Sequence, residues 1–270
     1  TCPPIASIVV TVMRVVPPYA SRPERPEGAT PDANPSPCAL RAGRRPPYNA
    51  RMAAPGCTAL IFDMDNTLIG SHIDFPAIRR SLIALLRAAA ATGASDDLLM
   101  RRAIAHLVAL GAAHDRLHGT TLTGRMWEII EAHETDGLQH ALPLDGAGEV
   151  LAALRAREFR LAVLTNNGRA SALDALRAAA LLDQVDVIVA RDDVRALKPA
   201  GDGVAEAVRR LGAVERIYVI GDSWIDGAAA AACGARFIAY RRPLEELRDR
   251  GVHPWRTIAH LADLLAIDLA

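Results

Sequence analysis

Lysine is almost missing from this chain: of its 31 cationic side chains only Lys198 is a lysine, and all the others are arginine. The arginine excess looks like a genome-wide coding bias. The surviving lysine is therefore either chance or a place where a compact ammonium must sit between two anions. Net charge is absent too: 31 basic and 31 acidic side chains balance with no basic face, which argues against nucleic acid as a partner. The four cysteines, Cys2, Cys38, Cys57 and Cys233, lie far apart without metal-ligand spacing. They fit a reducing, cytoplasmic compartment better than a disulfide framework. No apolar stretch approaches the roughly 20 residues that span a bilayer, so no membrane association is expected. There is no internal repeat. What the chain does have is length and apolar content: 270 residues at 51% hydrophobic can bury a full core in one or two domains.

Residues 1–51 differ from the rest. They hold 11 of the 17 prolines, and seven arginines against three acids. Runs such as Arg22-Pro23-Glu24-Arg25-Pro26 and Arg44-Arg45-Pro46-Pro47 sustain neither a helix nor a paired strand. Ile5 to Val16 has the length of a signal h-region but lacks the preceding positive charges and a convincing cleavage pattern. Glu24, Glu27 and Asp32 argue against a transit peptide. The expectation is a disordered extension, upstream sequence translated only on paper, with Met52 as the start of the folded protein.

From Thr58 onward, short apolar runs alternate with helical periodicity. Strands are expected at Thr58–Asp63, Arg160–Thr165, Asp186–Ala190, Arg216–Gly221 and Ala235–Tyr240. Helices are expected from Gly168 to about Ala180, at Gly146–Arg157, Gly203–Leu211 and Ile225–Cys233, and at the end over Ile258–Leu265 with Leu261, Leu264 and Leu265 inward. Near-continuous apolar strands alternating with helices predict an α/β fold, a doubly wound parallel sheet covered on both faces. Residues 74–140 carry no strand signal. Ile78, Leu82, Leu85 and Leu86 share one helical face, as do Leu99, Ala103, Ile104, Leu107 and Val108, and then Leu122, Met126, Ile129, Ile130 and His133. Three or four helices there exceed the 10–12 residues or so that a crossover needs. They read as an all-helical cap over 74–140, hinged at Leu68–Ser71 and Leu138–Pro143, inserted in a core of 52–73 and 141–270. The plainer alternative is that they merely pack on the sheet.

The chemistry gathers at strand ends. Asp63-Met64-Asp65-Asn66-Thr67 closes the first strand, and side chains two apart on an extended chain share a side. Both carboxylates then reach the crevice where open α/β sheets bind ligands. Carboxylate oxygen suits Mg²⁺, which takes one or two protein carboxylates plus substrate phosphate. One Asp can attack phosphorus as a nucleophile while the other shuttles a proton. Gly221-Asp222-Ser223-Trp224-Ile225-Asp226 repeats the arrangement, its second acid on the first turn of a helix. Singly such pairs are solvated loop residues; two of them, each closing a buried strand, suggest a site. Thr165-Asn166-Asn167-Gly168 offers a hydroxyl and free helix N-terminal N–H groups as an anion seat, or else an ordinary N-cap. Lys198 supplies a cation to screen the attacking carboxylate from the phosphate.

Asp63-x-Asp65-x-Thr67, Thr165, Lys198 and Gly221-Asp222-x-x-x-Asp226 resemble the four ordered motifs of the haloacid dehalogenase superfamily over about residues 57–240. The position of the helical insert is similar to that of the phosphoglycolate phosphatase-like group. The resemblance implies a Rossmann-like core and a covalent mechanism. Asp63 would be the nucleophile, Asp65 general acid and then base, and Thr165, Asn166 and Lys198 would hold the phosphoryl oxygens. Mg²⁺ would be held by Asp63, the main-chain carbonyl of Asp65, Asp222 and Asp226. Dehalogenating members lack an acid at the place of Asp65, so its presence favours phosphate chemistry. Two departures stand out: Gly201 where many relatives have a second proline, expected to loosen the loop, and Cys233 where they commonly have alanine, expected to be inert. The expected function is a Mg²⁺-dependent phosphatase acting on a small phosphorylated metabolite, phosphoglycolate or a sugar phosphate. The alternatives are a phosphomutase on the same core and a catalytically idle binding protein. His72, Arg116, Arg125 and Trp127 are candidates for specificity, each with an equally good reading as a surface or cap-core residue. Oligomeric state is open.

Overall fold

The computed structural model describes residues 57–144 and 146–269; the expectations for residues 1–51 and for a start at Met52 lie outside them. The chain enters as β1 (Thr58–Phe62), turns back through the two-residue strand β2 (Ile69–Gly70), and then runs through four helices. These are α1 (Phe75–Ala88), α2 (Asp96–Met100), α3 (Ile104–His118) and α4 (Leu122–Leu138). It returns through β3 (Leu142–Pro143), which pairs antiparallel with β2. The two expected hinge segments thus meet as one small ribbon, and the helical cap hangs from both of its strands.

The rest alternates as predicted: α5 (Ala147–Ala156), β4 (Arg160–Leu164), α6 (Arg169–Ala178), β5 (Val187–Val189), α7 (Asp202–Leu211), β6 (Arg216–Gly221), α8 (Trp224–Ala232) and β7 (Arg236–Tyr240). A short α9 (Leu244–Arg248) and an edge strand β8 (Arg256–Ile258) follow. The main sheet has the order β5-β4-β1-β6-β7-β8, and every neighbouring pair is parallel. The chain winds outward from β1 first to one side and then to the other. That places the topological switch at the carboxyl end of β1, flanked by β4 and β6.

Alternation along β1 divides the interior. Leu60 and Phe62 join a core with α5, α6 and the cap, while Ala59 and Ile61 face α7 and α8. The first of these cores is continuous with the cap through Met64, Leu68, Ile69 and Ile73. Within the cap the expected faces are inward at Ile78, Leu82, Leu86, Leu99, Leu107, Val108, Met126 and Ile130.

The expected terminal helix over 258–265 is not formed. Trp255 donates its N–H to Phe237 O at 2.7 Å, which draws Arg256–Ile258 onto the sheet edge. The chain then makes a 3-10 turn over Leu261–Ala266, entered where the Asp263 carboxylate accepts the Ala259 and His260 N–H groups. Three residues per turn put Leu261 and Leu264 on one buried side and leave Leu265 outside, 37% exposed.

Candidate active site

All the acids singled out in the sequence come to the carboxyl ends of β1 and β6. Asp63 follows β1 directly and donates its N–H to Ile220 O at 2.8 Å, which ties the start of the loop to β6. Met64 O then accepts from Leu68 N at 3.0 Å and Ile69 N at 3.1 Å. This tight turn puts Asn66 in the left-handed region, φ 57°, a conformation asparagine tolerates. Asp222 and Asp226 lie after β6 and on the first turn of α8. Gly221, just ahead of Asp222, has to be glycine, because a Cβ there would fall 2.5 Å from the Asp226 carboxyl group. Asp63, Asp222 and Asp226 each offer a carboxylate oxygen, all within 4.8 Å of one another.

Lys198 sits against this cluster and is 3% exposed. Its ammonium donates to Asp63 Oδ1, to Asp226 Oδ1 at 2.7 Å and to Leu164 O at 3.1 Å. Burial opposes the charge, but Asp226 and Asp63 more than offset it and hold the ammonium protonated. One buried cation does not neutralise the acids around it. Burial, then the neighbouring Asp63, pushes the Asp222 carboxyl up to about 6 and that of Asp226 up to about 7.

The Asp65 carboxylate turns away from the metal-type cluster. Its Oδ2 accepts from Asn167 Nδ2 at 2.8 Å and from Thr165 Oγ1 at 3.5 Å. Burial and the charge on Asp63 push it up to about 7, against weaker pulls from the Ser71 hydroxyl and Lys198. A carboxyl group at that poise carries a proton at neutral pH for a good part of the time.

The expected phosphate seat is more occupied than the motif suggested. Asn166 spends its side chain on the lysine loop: Nδ2 donates to Lys198 O at 3.0 Å and Oδ1 accepts from Lys198 N at 2.9 Å. Both ends of that side chain thus hold Lys198 in position. The N–H groups of Asn167, Gly168 and Arg169 are taken by Thr165 Oγ1, Glu134 Oε2 and Asp192 Oδ2. Only the first part of the expected N–H seat is left for a ligand, because neighbouring acids already fill the rest.

The family model of the haloacid dehalogenase-like hydrolases matches residues 57–234. The chain belongs to that family. Among its curated relatives, a phosphoglycolate phosphatase from Rhodobacter capsulatus is 31% identical over 70% of this chain and 89% of its own length. Another from Nitrosospira multiformis is 28% identical over 71% of this chain and 86% of its own. Among solved structures, a hydrolase from Pseudomonas syringae overlays with a TM-score of 0.57 at 24% identity, over 77% of this chain and 96% of that one. A haloacid dehalogenase-like family protein from Streptococcus pneumoniae gives 0.52 at 16%, over 78% and 97%.

In this haloacid dehalogenase-like hydrolase a second polar group, unread in the sequence, joins cap to core. Glu134 of α4 accepts from Arg191 Nη1 at 2.7 Å and from Gly168 N at 3.2 Å, and both residues are buried. Arg191 also reaches Glu131 at 3.1 Å and lies 4.7 Å over the Trp127 ring. A signal was available: Glu134 falls four residues after Ile130 and eight after Met126, an acid on an apolar stripe that must find a buried partner. Asn167 was likewise missed as a partner of Asp65. Of the four specificity candidates only Trp127 lines the cleft among the described residues; His72, Arg116 and Arg125 are exposed outside it. The two departures from the family pattern touch each other. Cys233 Sγ donates to Gly201 O at 3.1 Å, and a Cβ on Gly201 would lie 2.7 Å from that sulfur. Gly201 is thus a close-packed position, not a loosened one, and the thiol is its counterpart.

Proposed function

We propose that this haloacid dehalogenase-family phosphatase hydrolyses a small phosphomonoester with Mg²⁺ through a phosphorylated Asp63. The observation that supports the reading is the contrast between the two acids that follow β1. Asp63 is held by Lys198 beside two further acids, and Asp65, two residues on, stands apart in a hydrogen-bonded pocket with its carboxyl pushed up to about 7. A carboxylate held against an ammonium, beside a second carboxyl group raised enough to carry a proton, is what nucleophile and general acid require.

In the proposed cycle an Asp63 oxygen attacks phosphorus and the ester oxygen leaves with the Asp65 proton. Asp65 then takes a proton from the water that cleaves the acyl phosphate, which returns inorganic phosphate and both acids to their starting states. Asn167 and Thr165 hold the Asp65 carboxyl in place for both transfers. Lys198 keeps Asp63 and Asp226 together and offers positive charge to the phosphoryl oxygens, with Thr165 beside it. The hard oxygen donors of Asp63, Asp222 and Asp226, together with the uncompensated charge among them, fit Mg²⁺. The bound ion would supply charge neutralisation for the transferring phosphoryl group. The cap would close over the leaving group and exclude water until the phosphoenzyme forms.

The activity named for the relatives from Rhodobacter capsulatus and Nitrosospira multiformis makes phosphoglycolate the first substrate to test. No helix among the described residues is long and apolar enough to cross a membrane, and Cys57 and Cys233 are free thiols. The test is turnover of p-nitrophenyl phosphate and phosphoglycolate with Mg²⁺ and after chelation, plus labelling with ³²P-substrate. Wild type should need Mg²⁺ and label at Asp63, and Asp63→Asn should neither turn over nor label. Metal-independent turnover, or labelling retained in the variant, would overturn the assignment.

A further inference from the structure

The cleft above the carboxylates encloses about 890 Å³. That lies near the top of the roughly 300–1,000 Å³ of drug-sized ligand sites and is far more than a phosphate group fills. Besides Arg242, Glu246 and Asp249, four further arginines line the cleft. Arg79 comes from α1, Arg101 and Arg102 from the turn after α2, and Arg250 from the core segment after α9. Arg79 Nε donates to Arg102 O at 3.2 Å, and Arg250 Nη1 to Arg101 O at 2.6 Å. The Arg250 guanidinium also lies 5.3 Å over the Trp224 ring. Each side chain is anchored through one nitrogen on a carbonyl, which leaves the other N–H groups of both forks without a partner among the described residues.

None of these four arginines forms an ion pair within the described residues. Arg242, in the same cleft, is by contrast tied to Asp222 and Glu246. Arg79 is half-buried and near enough to Arg250 for the two charges to repel. Arg250 itself is exposed, so the repulsion falls mainly on the half-buried Arg79, and an anion between the two would relieve it. Arginine forks match phosphate and carboxylate geometry, and such charge-assisted pairs are among the strong hydrogen bonds.

We propose that Arg79 and Arg250, flanked by Arg101 and Arg102, form a second anion seat, so that the substrate's leaving group carries a further phosphate or carboxylate. The inference rests on the phosphatase reading and narrows its substrate class. Because Arg79 stands on the cap and Arg250 on the core, a doubly anionic substrate is gripped by both, and one with a neutral tail is not.

The experiment compares kcat/KM for matched pairs in the full chain with Mg²⁺: 2-phosphoglycolate against 2-hydroxyethyl phosphate, and propane-1,3-diyl bisphosphate against 3-hydroxypropyl phosphate. Wild type should favour the doubly charged member of at least one pair by about tenfold or more, the scale of one charged hydrogen bond. Whichever pair shows the larger ratio identifies carboxylate or phosphate as the second group. In Arg79→Gln/Arg250→Gln the preference should collapse, mainly through KM. Equal kcat/KM within both pairs, or a preference that survives in the double variant, would overturn the seat. If the variant does not fold by circular dichroism, added KCl decides: the wild-type preference should shrink with salt, and indifference to salt overturns the proposal. Loss of turnover on every substrate, p-nitrophenyl phosphate included, would fault the phosphatase reading instead. Thermal stabilisation of wild type by propane-1,3-diyl bisphosphate would then still test the seat, and no stabilisation would overturn it.

Discussion

The three N–H donors of the Lys198 ammonium meet three acceptors: one oxygen each from Asp63 and Asp226, and the carbonyl of Leu164. Arginine brings five donors on a planar fork and cannot place a point charge in that enclosed space. The loop that presents the lysine is itself fixed by both ends of the Asn166 amide. Lys198→Arg keeps the formal charge, so a purely electrostatic role would leave the enzyme intact. The expected result is a fall in kcat of about 10²–10³-fold on p-nitrophenyl phosphate, the scale of losing one preorganised transition-state donor. Circular dichroism of the variant should remain native. Wild-type kinetics in the variant would return the lone lysine to coding chance.

Elements in this fold are often capped by residues outside them. Helix α4 has Thr121 at its N-cap, yet that side chain makes no capping bond. Asp115, on the last turn of α3, does the work instead. Its Oδ1 accepts from Leu122 N at 2.8 Å and from Thr120 Oγ1 at 2.5 Å, and its Oδ2 from Thr123 N at 2.8 Å. Burial works against the charge, but the hydroxyl and N–H donors outweigh it and pull the Asp115 carboxyl down to about 2. A folded-state value below the usual 3.8 means that the contribution is present above pH 4 or so and is lost as pH falls toward 2. Asp115→Ala should cost about 1 kcal/mol near pH 7, a drop of about 2–4 °C in Tm. The gap from wild type should close as the pH is lowered through that window. A gap that persists at pH 2 would refute the capping role. The same dependence on distant partners explains which elements were legible in the sequence. Strands β1, β4, β6 and β7 are buried on both faces over most of their length, and the half-buried edge strand β5 is still an apolar run, so their sequences declared them. β8 and α9 are short and take their form from neighbours, as when Phe237 O captures Trp255 N, and no local period reports that. At the site, the acids at strand ends and Lys198 could be read because each acid pair closes its own apolar run and the lysine stands alone among arginines. The occupants of the α6 N-terminus could not, since Glu134 and Asp192 arrive from other elements.

At the scale of the whole molecule the cap and core are joined by a ribbon of two short strands and by one buried ionic junction. Glu134 spans from Arg191, after β5, to the N–H of Gly168 at the start of α6, so a single carboxylate of α4 grips two separate parts of the core. Arg191 is 9% exposed and stacks on Trp127, and without Glu134 it would keep only the exposed Glu131 as a counter-charge. Burial pushes the Glu134 carboxyl up, and Arg191 with the Gly168 N–H pulls it only part of the way back. A pair of this kind adds little over a well-packed apolar pair, but half of it is expensive. Glu134→Ala should therefore destabilise the protein by about 1.5–3 kcal/mol, because it leaves the buried Arg191 charge with only the exposed Glu131 as a partner. Glu134→Leu combined with Arg191→Met should recover most of that loss, since no charge is then left unpaired. If the pair's purpose were stability alone, the double variant would also keep wild-type turnover. The geometry predicts otherwise. With the junction apolar, the Gly168 N–H loses its acceptor and the cap its fixed register above Asp65, so KM should rise while Tm recovers. Urea melts and steady-state kinetics on the same preparations decide it. A double variant as unstable as Glu134→Ala would show that charge pairing is not what the junction supplies.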